Sequence, residues 1–129
     1  VMNISSLAAW FPFPFLTTYA STKSFTRIFT RALRTECQKT GVKVCSIYFG
    51  AVDTPLVGLS PRLSRLARHL GVMIRPETAA RKALNMMFRG RSGRIPGVVN
   101  KIAWAVAPLL RPSVIGPLER KVTRKWNLR

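Results

Sequence analysis

Acidic residues are scarce: four Asp and Glu stand against 22 Lys and Arg, for a net charge of +18 over 129 residues. Such a chain is drawn to anions, whether nucleic acid, an acidic membrane surface, a phosphorylated ligand or an acidic neighbouring domain. Histidine is scarcer still, and the single His69 has no carboxylate near it in sequence, so nothing supports a Ser-His-Asp device. Two cysteines, Cys37 and Cys45, are too few for a disulfide framework, and with His69 they lack the spacing of a metal site. They read as free thiols in small buried positions, which fits a reducing compartment. Long apolar runs are missing too. A membrane span needs about 20 uninterrupted apolar residues, and Lys101, Pro108 and Arg111 divide the best stretch. There is no internal repeat, no secretory signal, no nucleic-acid reader motif, and no interleaving of aromatic with basic residues of the kind that stacks bases.

What remains is an ordinary globular composition, 47% hydrophobic and 20% charged, with room for one core. The charge is uneven. Residues 1–50 hold six cations and Glu36, a balance of +5, whereas residues 51–129 hold sixteen cations and three acids, a balance of +13. The chain opens with Val in the middle of an apolar, β-branched segment, so it reads as a piece of something longer.

Val1 to Ile4 has the character of a buried parallel strand, broken at Ser5-Ser6. Pro12 and Pro14 keep the apolar run from Leu7 to Leu16 out of regular structure, leaving an oily loop. A helix is expected from Thr17-Thr18, either of which could cap it, to about Thr40 before Gly41. Phe25, Ile28, Phe29, Ala32 and Leu33 form its apolar stripe, expected to pack on a sheet. Val42 to Phe49 reads as a strand ended by Gly50, completing a β-α-β unit with parallel strands. Pro61 to Leu70 is a short basic amphipathic helix in the position of a lid, with Leu63, Leu66 and Ala67 opposed to Arg62, Arg65 and Arg68. Pro76 opens a helix to about Arg89 with Ala80, Ala83, Leu84 and Met87 on one stripe. Met86-Met87 reads as core. Arg91 to Gly97 has room for a very short edge strand. An apolar helix, expected to be mostly buried, follows from Val98 to Leu110, and a last basic one from Pro117 to Trp126. Trp104, Val106 and Leu109 beside Lys and Arg also have the composition of an interfacial helix.

The strongest chemical signal is Tyr19-Ala20-Ser21-Thr22-Lys23. Four residues of helix advance about 6 Å and turn about 40°, so phenol and ammonium share one face and reach one ligand. A fixed cation stabilises phenolate, which brings the phenol toward acid or base duty near neutrality. Chance alone supplies such a pair in about one chain in ten of this composition. Ser6, at the end of the preceding strand, makes coincidence far less common.

Three motifs together, Asn3-Ile4-Ser5-Ser6, Tyr19 to Lys23, and Gly50-Ala51-Val52-Asp53-Thr54 after a strand, resemble the second half of a short-chain dehydrogenase/reductase. The Phe-Pro-Phe-Pro before the tyrosine and the basic apolar tail are similar to the branch holding 3-ketoacyl-CoA and 17β-hydroxysteroid reductases and bacterial relatives. The resemblance implies an α/β fold, the C-terminal part of a Rossmann-like doubly wound parallel sheet followed by basic C-terminal helices. Residues 1–97 would be the C-terminal half of a dinucleotide-dependent reductase domain, and residues 98–129 a basic amphipathic helical extension.

By the same resemblance Tyr19 is the proton donor to a carbonyl oxygen, or the base in the reverse direction. Ser6 hydrogen-bonds that oxygen, while Lys23 lowers the tyrosine pKa and holds the nicotinamide ribose. Tyr19 and Lys23 thus touch the cofactor too, and Gly50, Val52 and Thr54 line the nicotinamide and its phosphate. The cofactor implied is NAD(P), with NADP slightly favoured although the deciding residues lie outside these 129. No metal and no nucleic acid are implied. The substrate is a small carbonyl or alcohol, apolar by the composition of Ala8 to Leu16 and Leu56 to Leu70. The other partners are a missing N-terminal half of the same domain and, in the complete protein, a second copy. The location expected is cytoplasmic, with peripheral contact at a membrane left open.

Three departures stand out. Phe49 replaces the Pro that the family places before the third-motif glycine. There is no Gly-rich strand-to-helix turn to cradle a pyrophosphate, so the isolated chain is expected to be inactive. Asn3 does not match the family's catalytic asparagine. The rival reading is a basic anion- or membrane-binding module without catalysis.

Overall fold

The computed structural model describes residues 1–11 and 16–106. Strand β1 (Met2–Ser6) runs into a single 3-10 turn at Leu7–Trp10, and helix α1 (Thr17–Glu36) carries the chain back to strand β2 (Cys45–Phe49). Then come β3 (Ala51–Val52), a 3-10 turn at Pro55–Val57, α2 (Pro61–His69), β4 (Met73–Ile74), α3 (Pro76–Phe88), β5 (Gly93–Arg94) and α4 (Val98–Val106). The main sheet has the order β1-β2-β5, all parallel, with β1 paired to β2 from Met2 opposite Cys45 to Ser6 opposite Phe49. A second parallel pair joins β3 to β4. The β-α-β unit and the short β5 are those the sequence indicates, and α2, α3 and α4 begin at the expected Pro61, Pro76 and Val98.

Alternation along β2 places a helix on each face of the sheet. Cys45 and Ile47 point to α3, where they form a buried cluster with Ala83 and Met86 and gather Met2, Phe49 and Met87 around it. Ser46 and Tyr48 point the other way, where the Ser46 hydroxyl lies 2.6 Å from the Tyr48 hydroxyl. On that same face Asn3 and Ser5 of β1 meet α1. Burial pushes the Cys45 thiol up from its ordinary value, and both cysteines are free.

Several expectations need correcting. Neither Thr17 nor Thr18 caps α1: both lie inside it, the residue before the helix is Leu16, and no side chain caps that end. The regular helix stops at Glu36, and a 3-10 turn at Cys37–Lys39 leads to the left-handed Gly41. The stripe expected on the sheet faces solvent instead, with Phe25 68% exposed and Ile28 and Phe29 also open. The reason is polar: Asn3 Nδ2 donates to Thr30 Oγ1 at 2.9 Å, Ser5 Oγ donates to the Lys23 carbonyl at 3.0 Å, Ser24 Oγ to the Ala9 carbonyl at 3.0 Å, and Arg34 to the Val44 carbonyl at 2.8 Å. These bonds turn the hydroxyl side of α1 inward. On α2, likewise, Leu63 and Leu66 are exposed and Ser64 is buried. On α3 the buried stripe is Ala79, Ala83 and Met86, which leaves Leu84 exposed, while Met86-Met87 is core as expected. Only Asn100 of α4 is buried, against the expectation of a mostly buried helix. The β1 strand is open too, since Ile4 is exposed. Pro12 to Phe15 and everything beyond Val106, including the expected last basic helix, lie outside the described residues. Among the described residues no helix is long and apolar enough to cross a membrane.

Met86 is fully buried, so Met86→Ala is expected to cost about 2–5 kcal/mol, whereas Phe25→Ser should change stability by less than about 0.5 kcal/mol. Urea unfolding followed by circular dichroism checks both, and equal losses would put the Phe25 stripe in the core after all.

Candidate active site

Strand β1 delivers Ser6 to the end of the sheet at which β2 delivers Gly50, because the two strands are parallel and in register. Ser6 opens the Leu7–Trp10 turn, and its Oγ accepts a hydrogen bond from the Ala8 amide at 3.2 Å. That contact uses an acceptor lone pair and leaves the hydroxyl proton for donation elsewhere. Tyr19 lies in the first turn of α1 and Lys23 one turn later. The Lys23 Nζ stands 5.5 Å from the centroid of the Tyr19 ring and reaches the Ile4 carbonyl at 3.4 Å. Ser5 fixes this part of the helix through the Lys23 carbonyl.

The third motif closes the other side. Val52 belongs to β3, and Thr54 opens the 3-10 turn at Pro55–Val57 with its amide bonded to the Val52 carbonyl at 2.9 Å. Asp53 between them pairs with Arg68 of α2. Ser6, Tyr19, Lys23, Gly50, Val52 and Thr54, all of the residues singled out from sequence, line one cleft of about 650 Å³. Apolar walls complete it, among them Leu7, Leu16, Phe49, Leu56, Val57 and Val72. Phe49 also packs against the α3 cluster, which gives this strand end a hydrophobic anchor in the position of the family's proline.

Sequence reasoning missed Asn100. It is buried in α4, donates from Nδ2 to the Pro96 carbonyl at 2.9 Å, and lines the same cleft. A Cβ at Gly50 would lie 2.5 Å from Asn100 Oδ1, so glycine is required there by close approach. The available signal was a lone amide in an otherwise apolar helix turn, Val98-Val99-Asn100. Trp10 was missed as well: its ring meets Tyr48 and Trp104 edge-on, with centroids 5.8 and 5.6 Å away, and carries the Arg27 guanidinium 4.1 Å from its centroid.

Known proteins resemble this chain in sequence and in fold. Residues 1–62 match the profile of the short chain dehydrogenase family. The chain is 34% identical over 70 residues to rat (Rattus norvegicus) estradiol 17-beta-dehydrogenase 2, covering 54% of this chain and 18% of that protein. It is 45% identical over 47 residues to the very-long-chain 3-oxoacyl-CoA reductase-A of Danio rerio, covering 36% and 15%. The fold superposes on a short-chain dehydrogenase from Sphingobium yanoikuyae in complex with NADPH with a TM-score of 0.61, at 18% identity, over 86% of this chain and 45% of that one. Over residues 1–62 the chain is similar to the short-chain dehydrogenase family, and its fold is part of a Rossmann-like one. Its aligned stretches span less than a fifth of the two enzymes' lengths.

Because Gly50 and Asn100 contend for one space, Gly50→Ala is expected to destabilise the chain by about 1–3 kcal/mol. Asn100→Ala should relieve part of that loss, giving a coupling of about 1 kcal/mol or more in a double-mutant cycle. Strictly additive effects in urea unfolding would show that the two do not touch.

Proposed function

We propose that this chain contributes the catalytic half of an NAD(P)-dependent oxidoreductase that interconverts a carbonyl and an alcohol on an apolar substrate. The observation that supports it is the convergence of the serine, phenol, ammonium and third-motif residues on one cleft. The residues present fit the nicotinamide end of a dinucleotide. Gly50 lines the cleft with bare backbone, Thr54 offers a hydroxyl, and Lys23 offers donors to ribose oxygens. The residues that would cradle the pyrophosphate are not among them, and we assign that task to an N-terminal half of the same domain. The cofactor, when bound, supplies or takes the hydride.

The chain's own groups handle the proton. Ser6, whose oxygen already accepts from the Ala8 amide, donates its proton toward the substrate oxygen and stabilises charge that develops there. Tyr19 hands its phenolic proton to that oxygen during reduction and takes it back during oxidation. Lys23 holds positive charge beside the ring, favouring the anionic oxygen that the transfer leaves behind. The leucine and valine walls exclude water and select an apolar substrate. NADPH is the cofactor of the Sphingobium structure, and that favours NADP over NAD here as well. The outward Phe25 and Phe29, stacked at 5.8 Å, would suit the face of a second copy in the complete protein. Both free thiols accord with a reducing compartment such as the cytoplasm.

In a chain that also carries the nucleotide cradle, Tyr19→Phe should lower kcat for ketone reduction about a thousandfold and leave NADPH affinity within about twofold. Lys23→Ala should harm both. Stopped-flow reduction and fluorescence titration check this, and turnover retained by Tyr19→Phe would overturn the roles. The 129 residues alone are expected to oxidise no NADPH in the presence of long-chain or steroid ketones, and measurable consumption would show that the cradle is not needed.

A further inference from the structure

Helix α2 is turned the wrong way for a helix that merely covers a core. At about 100° per residue, Leu63, Leu66 and Leu70 fall in one arc of about 60°, Arg62, Arg65 and His69 in the adjoining arc, and Ser64 and Arg68 on the far side. The far side is the one that meets the protein: Ser64 is buried, and Arg68 pairs with Asp53. The leucine arc is exposed at all three positions, and the preceding turn adds Leu59 and the 95% exposed Leu56. After α2 the left-handed Gly71 abuts Val99 of α4, close enough that a Cβ on this glycine would lie 3.6 Å from Val99 Cγ2. There Val98, Ile102 and Val106 form a second outward apolar stripe.

What covers this surface must satisfy leucines and arginines at once. A second copy seated here would set Arg62, Arg65 and His69 against the same cations and is repelled from this face. Nucleic acid pairs the arginines but leaves the leucines wet. A substrate held in the cleft touches Leu56 and not Leu63, Leu66 or Leu70. An anionic bilayer meets both needs, through lipid phosphate at the basic arc and the acyl boundary at the leucine arc. We propose that α2 is a docking helix for an anionic membrane surface, with the adjoining stripe of α4 extending the contact. Leu56 leads from this helix into the cleft. On the reductase reading, the same docking admits an apolar substrate from lipid, but the docking itself does not depend on that reading.

Flotation of the 129-residue chain with phosphatidylcholine vesicles, with and without phosphatidylglycerol, tests it without any activity. The chain should float with the anionic vesicles only. Leu63→Ser with Leu66→Ser should weaken that binding by about tenfold or more, and Arg62→Gln with Arg65→Gln by about tenfold or more at low salt. Phe25→Ser with Phe29→Ser, on the outward stripe of α1, should leave it unchanged. Circular dichroism confirms that each variant keeps its helix. If the serine pair loses it, Leu63→Ala with Leu66→Ala carries the test, with a smaller loss expected. Binding that is equal for leucine variant and parent would overturn the proposal, as would a loss of the same size in the phenylalanine pair. So would tighter binding to an RNA duplex than to anionic vesicles, unaltered by the leucine changes.

Discussion

Two short polar contacts, Ser5 Oγ to the Lys23 carbonyl and Asn3 Nδ2 to Thr30 Oγ1, set the relation between α1 and β1, and the site follows from that relation. Asn3 and Ser5 are two residues apart on the strand and so share a face. Their partners, Lys23 and Thr30, are seven apart on the helix and share a face there too. Each contact is worth about 1 kcal/mol net, but an unpaired buried partner would cost about 1–3 kcal/mol, so sliding or rolling the helix is disfavoured more strongly than the bonds alone suggest. The small or hydroxyl-bearing Ala20, Ser24 and Thr30 allow the close approach. With helix and strand fixed in this way, Tyr19 and Lys23 open onto the cleft at the strand's end beside Ser6.

The same constraint explains the exposed aromatic stripe. A helix that buries its hydroxyl side must show the opposite side, and Phe25 and Ile28 are there. The inward side is completed by Arg27, which lies over Trp10, and Trp10 extends the order to α4 through Trp104 and to β2 through Tyr48. Aromatic pairs of this kind add about 0.5–1.5 kcal/mol each beyond their burial. Helix α4, which buries only Asn100 among its residues, depends on that contact to hold the amide against Gly50. One indole therefore ties the helix bearing the phenol to the helix that shapes the glycine motif.

Much of this was legible in the sequence because punctuation is local. Pro61 and Pro76 each occupy the first position of a helix, Gly41 and Gly90 follow helix ends with positive φ, and strands were legible at Val1 to Ile4 and Val42 to Phe49, although the first runs on through Ser6 and the second begins only at Cys45. Ser6, Tyr19 and Lys23 were legible by type and spacing, and Gly50, Val52 and Thr54 only through the resemblance to a known family. The facing of the helices was not. Periodicity shows that a stripe exists and says nothing about whether the stripe or its polar opposite meets the sheet, and on α1 and α2 it was the opposite. Two-residue strands such as Ala51–Val52 and Met73–Ile74 are too short to carry any period. Asn100 escaped because its importance arises from a neighbour fifty residues away in the chain.

Charge and helix facing meet in the pair Asp53 and Arg68. Asp53 is one of very few acids available to so many cations, and its place inside the third motif means that the cation it selects is held next to Val52 and Thr54. Arg68 is on the far side of α2 from the leucines, so the ion pair that anchors the helix also decides which side it shows. With side chains 29% and 22% exposed, the pair is partly screened and of modest strength, and the only residue that α2 itself buries is Ser64. A helix that buries one serine and is otherwise held by a partly wet ion pair and by its contact with β4 is less firmly anchored than one that buries an apolar stripe. The segment that forms one rim of the cleft through Leu56 and Val57 is thus anchored by charge while its apolar side stays available.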